Sequence, residues 1–309
     1  MAESYVRNSS GFQQANQIFV NVSGTYQEVN EAYANVGGTY QLVFSAFEAT
    51  SFVTLSTGSG TFVAPSNSNA IHIQAAVGGG GGAIGGQDYD KAGGESAGAG
   101  GGSAGYVSDK IFSITGGETL TYAIGSGGIG RGKGFSLTAG TGTSTTLSGS
   151  SAGSLFTLTG GGGSSATGGG VQGPLRSNTA GTPGTATVSS SISTGTFRDI
   201  DGITKNVNTN TSGPAGTFND SGNGATGSIS GSGNCGGDNC RISGFAGADS
   251  YDGGITGGAG GSSSGSGTNG TPGTRGSGGG GGAAQVSGGS TSGAAGGDGE
   301  IVYRFLRIL

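Results

Sequence analysis

The sequence predicts an all-β protein: a small antiparallel β-sandwich base carrying a bundle of glycine-rich, polyproline-II-like rods with exposed loops, and almost no α-helix. Three observations lead there. Only six of the 77 glycines precede Gly78, so 71 (77 − 6) fall among the last 232 residues. Short β-branched and aromatic runs recur between the glycine stretches, and no segment sustains a helical period. The chain is only 9% charged with five Pro, whereas disordered chains are normally rich in both. Glycine within a regular element costs roughly 0.5–1 kcal/mol relative to alanine. A chain that accepts this cost dozens of times is either a flexible Gly/Ser polymer or a backbone packing that excludes side chains. Collagen is ruled out, because glycine is not strictly every third residue.

Residues 1–50 read as an N-terminal module of β-hairpins. Phe19-Val-Asn-Val-Ser-Gly-Thr-Tyr-Gln-Glu-Val29 repeats, at an offset of 14, as Tyr33-Ala-Asn-Val-Gly-Gly-Thr-Tyr-Gln-Leu-Val43. In each copy two alternating runs flank a two-residue turn, Ser23-Gly24 or Gly37-Gly38. Isolated hairpins are marginal in water, so the module is expected to serve attachment to another chain.

Residues 51–309 read as a second domain. Its strands fall within 51–77, 106–124, 143–159 and 300–309, and its rods and loops within 78–105, 125–142 and 160–299. Ser59–Pro65 is a strand closed by proline. Along Ile71–Val77, Ile71, Ile73, Ala75 and Val77 form one apolar face, with His72 expected on the solvated one. Tyr106–Thr115, Glu118–Ile124, Thr143–Leu147 and Leu155–Thr159 follow. Glu300–Leu309 is the most hydrophobic run and returns to the base after an excursion of some 140 residues.

The glycine runs cover 78–86, 93–105, 125–134, 160–170, 222–233, 253–267, 276–284 and 288–299. Polyproline II has three residues per turn and no internal hydrogen bonds, so its N–H and C=O groups can bond to neighbouring rods. A rod surrounded on all sides must be glycine, as in Gly78–Gly82 and Gly278–Gly282. A peripheral rod can carry one outward side chain per turn, as in residues 127–134.

Several chemistries are excluded. A net charge of −5 without a Lys/Arg run argues against nucleic acid. No signal region opens the chain and no apolar run approaches about 18 residues, so a protein made in a cytosol is expected. With His72 the lone histidine beside Cys235 and Cys240, no Cys/His zinc site is available. The two cysteines either close a small disulfide loop or stand as reduced thiols, according to the compartment. Gly125–Gly130 matches the dinucleotide pattern G-x-G-x-x-G, but the pattern arises by chance in a chain one-quarter glycine, and no helix follows. Residues 127–133 approach a phosphate loop, but Gly134 stands where Ser or Thr would hold Mg²⁺. Gly297-Asp298-Gly299 is expected as a solvated turn rather than a calcium repeat. The pairs Asp88/Asp90 and Asp199/Asp201 lack further ligands, and no nucleophile–base pair exists, so no catalytic residue, metal, cofactor or enzymatic activity is expected.

Side-chain chemistry collects where glycine thins, in 87–91, 192–220 and 234–252. Tyr89, Phe197, Arg198, Asp199, Asp201, Phe218, Arg241, Phe245 and Tyr251 lie there among Asn, Ser, Thr and Gly, a mix suited to recognition. The competing reading makes Phe197, Phe218 and Phe245 anchors that hold loops down.

The Gly-Thr-Tyr hairpins precede Gly60-Thr-Phe-Val-Ala-Pro65 and Ile71-His-Ile-Gln-Ala-Ala-Val-Gly78. Tyr106–Gly125 and a closing Gly297-Asp-Gly-Glu-Ile-Val-Tyr303 complete the order. This order resembles the glycine-rich tail-fibre proteins of tailed phages and is similar in construction to their distal fibre-tip adhesins. The resemblance implies a receptor-binding virion protein whose loops, those nine residues among them, bind a host outer-membrane protein or surface glycan. It further implies docking to other tail proteins through residues 1–50, as a homotrimer or as a monomer on a trimeric fibre. A purely structural virion component and an ice-binding glycine-rod protein are the alternatives.

Overall fold

A computed structural model describes residues 5–8, 11–14, 19–29, 31–45, 47–85, 98–132, 137–167, 177–207, 212–213, 216–217, 220–222, 241–242, 246, 248, 257–260, 268–281, 284–285 and 291–309. These residues form strands, turns and extended rods, with no helix among them.

Ten strands make the base: β1 (Val53–Leu55), β2 (Ser59–Val63), β3 (Ala70–Val77), β4 (Tyr106–Ser113), β5 (Thr119–Ala123), β6 (Thr145–Gly149), β7 (Gly153–Leu158), β8 (Ala186–Val188), β9 (Asp220–Gly222) and β10 (Glu300–Leu306). One sheet runs β9-β4-β3-β10-β1 and the other β8-β7-β6-β5-β2, with every pair antiparallel. Their facing sides share one core, with Ile71, Ile73, Phe112 and Ile301 from the first sheet and Leu120, Leu147, Phe156 and Leu158 from the second. Phe62 stacks on Tyr303 with centroids 4.6 Å apart. The C-terminal run therefore closes the sandwich as an interior strand. At one corner Glu118 is buried and accepts N–H bonds from Thr115, Ser151 and Ala152, at 2.7, 2.8 and 3.1 Å.

The alternation expected along β3 holds only to Ile73. Val302 pairs with Ala75 but Tyr303 pairs with Ile73, which leaves Gln74 as an extra residue in a bulge. A one-residue shift moves every following side chain to the other face. Ala76, and not Ala75, therefore joins Ile71 and Ile73 in the core. His72 is also not solvated as expected: it is 6% exposed, covered on the outer face of the first sheet.

The two repeated hairpins form as their turns predict. Phe19–Val22 pairs with Thr25–Glu28, and Glu31–Val36 with Thr39–Ser45. Ser23 and Gly24, and likewise Gly37 and Gly38, have positive φ, the geometry of a two-residue turn matched to strand twist. The repeated Asn explains itself: Asn21 Oδ1 accepts from Gly24 N–H at 2.8 Å and Asn35 Oδ1 from Gly38 N–H at 2.9 Å. A third pair, Tyr5–Asn8 with Gly11–Gln14, was not expected from the sequence.

Candidate functional site

β3 runs directly into residues 78–85, the central rod of a lattice. Its N–H groups rotate among three returning rods. Gly78, Gly81 and Ile84 donate to Gly105, Gly102 and Ala99; Gly79 and Gly82 to Thr143 and Gly140; Gly80 and Ala83 to Gly297 and Ala294. Its carbonyls accept from three outgoing rods: Gly80 and Ala83 from Gly128 and Arg131, Gly79 and Gly82 from Gly161 and Ser164, and Gly81 from Gly279. A period of three with six neighbours is the lateral bonding that polyproline II geometry allows and a strand or helix does not.

Close approach enforces glycine here. A Cβ on Gly79, Gly80, Gly81 or Gly82 would stand 2.0, 1.9, 2.0 or 2.2 Å from a neighbouring carbonyl oxygen. Gly278–Gly281 are equally enclosed, at 2.0–2.2 Å; Gly282 lies outside the described residues. The rule is less strict towards the far end, where the central rod continues as Ala83 and a fully buried Ile84. Two rods carry little glycine signal in the sequence, 139–143 and 180–185, both built from Ala-Gly-Thr segments. On rod 125–131, Ser126 and Ile129 point outward one turn apart, as expected of a peripheral rod. This is also the stretch that mimics a nucleotide-binding motif. Asp298 sits in a returning rod rather than a turn, and its Oδ1 accepts from Gly127 N–H at 2.8 Å.

Among the described residues, outgoing rods 78–85, 125–131, 160–164 and 276–281 and returning rods 98–105, 139–143, 180–185 and 293–299, with segments 257–260 and 268–273 bonded alongside, thus bring the rods' far ends together at one distal end. The described part of that end is finished by a three-stranded sheet of Leu137–Thr138, Ser165–Thr167 and Ser177–Thr179. Beneath it, Ile84, Ala99, Ala139 and Ala166 form a small apolar cluster. Buried Ser164 accepts from Ile84 N–H at 3.0 Å and donates to the Ala99 carbonyl at 2.8 Å. The Arg241–Ile242 strand pairs with Ala284–Gln285, just beyond rod 276–281, so the Arg241 backbone belongs to this end.

Four of the expected recognition residues are at the opposite end. Thr196–Arg198 pairs with Thr204–Asn206 in a hairpin laid on the outer face of the first sheet. Phe197 is buried with Ala49, Ala70, Ile111, Val207 and Leu306. Arg198 bonds Glu48 at 3.1 Å, and Ala49 N–H donates to the Arg198 carbonyl at 2.8 Å. Asp199 is buried, bonded to Arg304 Nη1 at 2.5 Å and to Lys205 Nζ. Burial pushes its carboxyl up, but Lys205, the Ile200 N–H and Arg304 outweigh this and hold it below the ordinary range. Asp201 lies 3.2 Å from Lys205, and the Ile203 N–H is the main cause that lowers its pKa. Lys205 is raised in turn, chiefly by Asp199.

The network continues inward. Arg304 Nε donates to His72 Nδ1 at 3.2 Å, and the Arg304 guanidinium covers Phe52 and Phe197 at 4.6 and 5.4 Å. His72 Nε2 lies 3.3 Å from Asp109. Burial drives the imidazole below its usual pKa; Asp109 opposes this and Arg304 adds to it. The charges of this cluster are matched to one another, and its geometry is that of a clamp between hairpin and sheet. Of its members, Glu48, Asp109 and Arg304 were not singled out in the sequence, and His72 was expected to be solvated. Arg304, one of two arginines in the most apolar run, was the one available signal. Tyr89, Phe218, Phe245, Tyr251, Cys235 and Cys240 lie outside the described residues.

A sandwich that feeds a side-chain-poor lattice defines the class: an all-β scaffold with polyglycine rods. The family model described as glycine-rich domain matches residues 54–306, and the chain belongs to that family. Comparison with curated proteins gives no match.

Proposed function

We propose that the protein is a receptor-binding adhesin of a bacteriophage tail fibre or tail tip, assembled in the host cytoplasm and carried on the virion. The observation that carries this reading is that the far ends of the described rods gather at one end, distal to the sandwich. A lattice of backbone presents few side chains for recognition, so recognition chemistry belongs chiefly to the segments that join rod to rod. The sequence puts Asp88, Tyr89, Asp90 and Lys91 in the first of these and Phe135 and Arg176 in two others. Aromatic and charged groups among Gly, Ser and Gln suit contact with an outer-membrane protein or surface glycan. Attachment falls to the N-terminal hairpins. The cluster around Phe197 and Asp199 would then hold the scaffold together rather than touch a receptor.

Purified protein should bind envelope fractions of a susceptible bacterium and compete with phage adsorption. Replacing residues 87–91 by Gly and Ser should abolish both effects and leave thermal unfolding unchanged. Absence of binding by the native protein to every envelope fraction would instead favour a purely structural virion component.

A further inference from the structure

His72 lies in the middle of a series of contacts that ties the 196–206 hairpin to the sandwich. On β3 it meets the edge of the Phe52 ring, with centroids 5.5 Å apart. The charged groups around it come from separate elements: Asp109 from β4, Arg304 from β10 and, one contact further out, Asp199 and Lys205 from the hairpin. Glu48 and Arg198 pair at the hairpin's margin. Asp109 has a φ of 45° inside a strand, a conformation uncommon for any residue but glycine. There its carboxylate stands 3.3 Å from His72 Nε2. Because Arg304 Nε donates to Nδ1, the neutral ring carries its one proton on Nε2, towards Asp109. A second proton has no place in this arrangement. On Nδ1 it turns an acceptor into a donor and sets two cations side by side, with their nitrogens 3.2 Å apart. Asp109 holds the imidazolium, so Arg304 is the group that must leave. Its departure strips a partner from the buried Asp199 carboxylate, which then gains by meeting water.

We propose that the 196–206 hairpin is an acid-released strap: proton uptake by His72 breaks the Arg304–Asp199 pair and lifts the hairpin from the sheet. The strap holds more than itself. Ala49 N–H donates to the Arg198 carbonyl at 2.8 Å and Thr50 N–H to the Phe305 carbonyl at 3.0 Å. Residues 47–50, which lead from the N-terminal hairpins into β1, are therefore gripped between strap and β10. The C-terminus is bound to the strap as well, Leu309 N–H donating to the Thr196 carbonyl at 2.8 Å. Opening loosens the joint between the N-terminal hairpins and the sandwich. The sandwich core lies on the other face of the sheet and stays packed.

Amide hydrogen exchange of the full chain between about pH 7 and 5, corrected for the intrinsic pH dependence of exchange, tests this. Protection at Ala49 and Leu309 should fall roughly tenfold per pH unit below about 6.5, because the open form binds one proton more. At about pH 5 the amides of β3 should remain at least roughly tenfold better protected than these two, since only the strap has opened. His72→Gln, whose amide can accept from Arg304 and donate to Asp109 without titrating, should hold protection at both positions level across the range. Asp199→Asn, which removes the charge that Arg304 clasps, should show weak protection at Ala49 already at neutral pH. Ala49 and Leu309 exchanging in step with β3 at every pH overturn the proposal, because the opening is then global. A fall that His72→Gln leaves intact overturns it as well, by assigning the proton to a carboxylate. Native-like protection at Ala49 in Asp199→Asn removes the clasp and with it the strap.

Discussion

At Gly81 an added Cβ would meet a carbonyl oxygen of Gly162 at 2.0 Å, whereas at Gly132 the nearest atom is Ser292 Oγ at 3.7 Å. Backbone on every side leaves Gly81 nothing flexible to displace, so Gly81→Ala should destabilise by on the order of 3 kcal/mol or more. Gly132→Ala should be neutral or gain about 0.5 kcal/mol by restricting the unfolded chain. Urea denaturation of both variants measures the contrast. His72 allows a second test at this scale. Its folded-state pKa is depressed, so as pH falls the unfolded chain takes up the proton first. Stability should therefore decline as pH drops below about 6.5, the unperturbed histidine value. The carboxylates, titrating lower, add their loss only in more acid solution. His72→Gln should flatten the decline between about pH 6.5 and 5 in melting temperature against pH. The glycine pattern made Gly81 legible in the sequence. The burial of His72 was not legible, because it depends on Phe52, Asp109 and Arg304 arriving beside it from three separate parts of the chain.

Among the elements, the central rod was readable because complete enclosure tolerates only glycine along Gly78–Gly82. Rods 139–143 and 180–185 were not, since a rod at the margin needs glycine only where it faces a neighbour. Gly140 and Gly142 meet Ile129 and Gly79, while Thr141 and Thr143 face out. Strand β3 was found, yet its face was misphased, because alternation read from residue types carries no mark of the bulge at Gln74. The 196–206 hairpin was singled out for its side chains, but Phe197 is an anchor: the same aromatic that suits a receptor contact suits a small core. Packed rods also have a kinetic consequence. Amides of Gly79, Gly80, Gly81 and Gly82 donate to Thr143, Gly297, Gly102 and Gly140 at 2.8–2.9 Å deep inside the lattice. Their hydrogen exchange should be as slow as that of β3 and should follow global unfolding. Exchange at the rate of an open chain would remove the lattice from consideration.

For the molecule as a whole, two kinds of interior are joined end to end. The sandwich buries Phe, Ile and Leu side chains, whereas the lattice buries peptide groups bonded to each other. Exposing apolar surface raises the heat capacity by about 0.45 cal/mol/K per Å², and exposing polar surface lowers it by about 0.26. An ordinary globular chain of this length would show about 4 kcal/mol/K on unfolding, at roughly 12–15 cal/mol/K per residue. Unfolding the lattice releases much peptide surface and little hydrocarbon, so the two contributions there largely cancel. Calorimetry should accordingly give a heat-capacity change well below the globular value, closer to that of the sandwich alone, and a flatter dependence of stability on temperature. A full globular value would mean that the rods bury side chains elsewhere, and that glycine is not the interior of this protein.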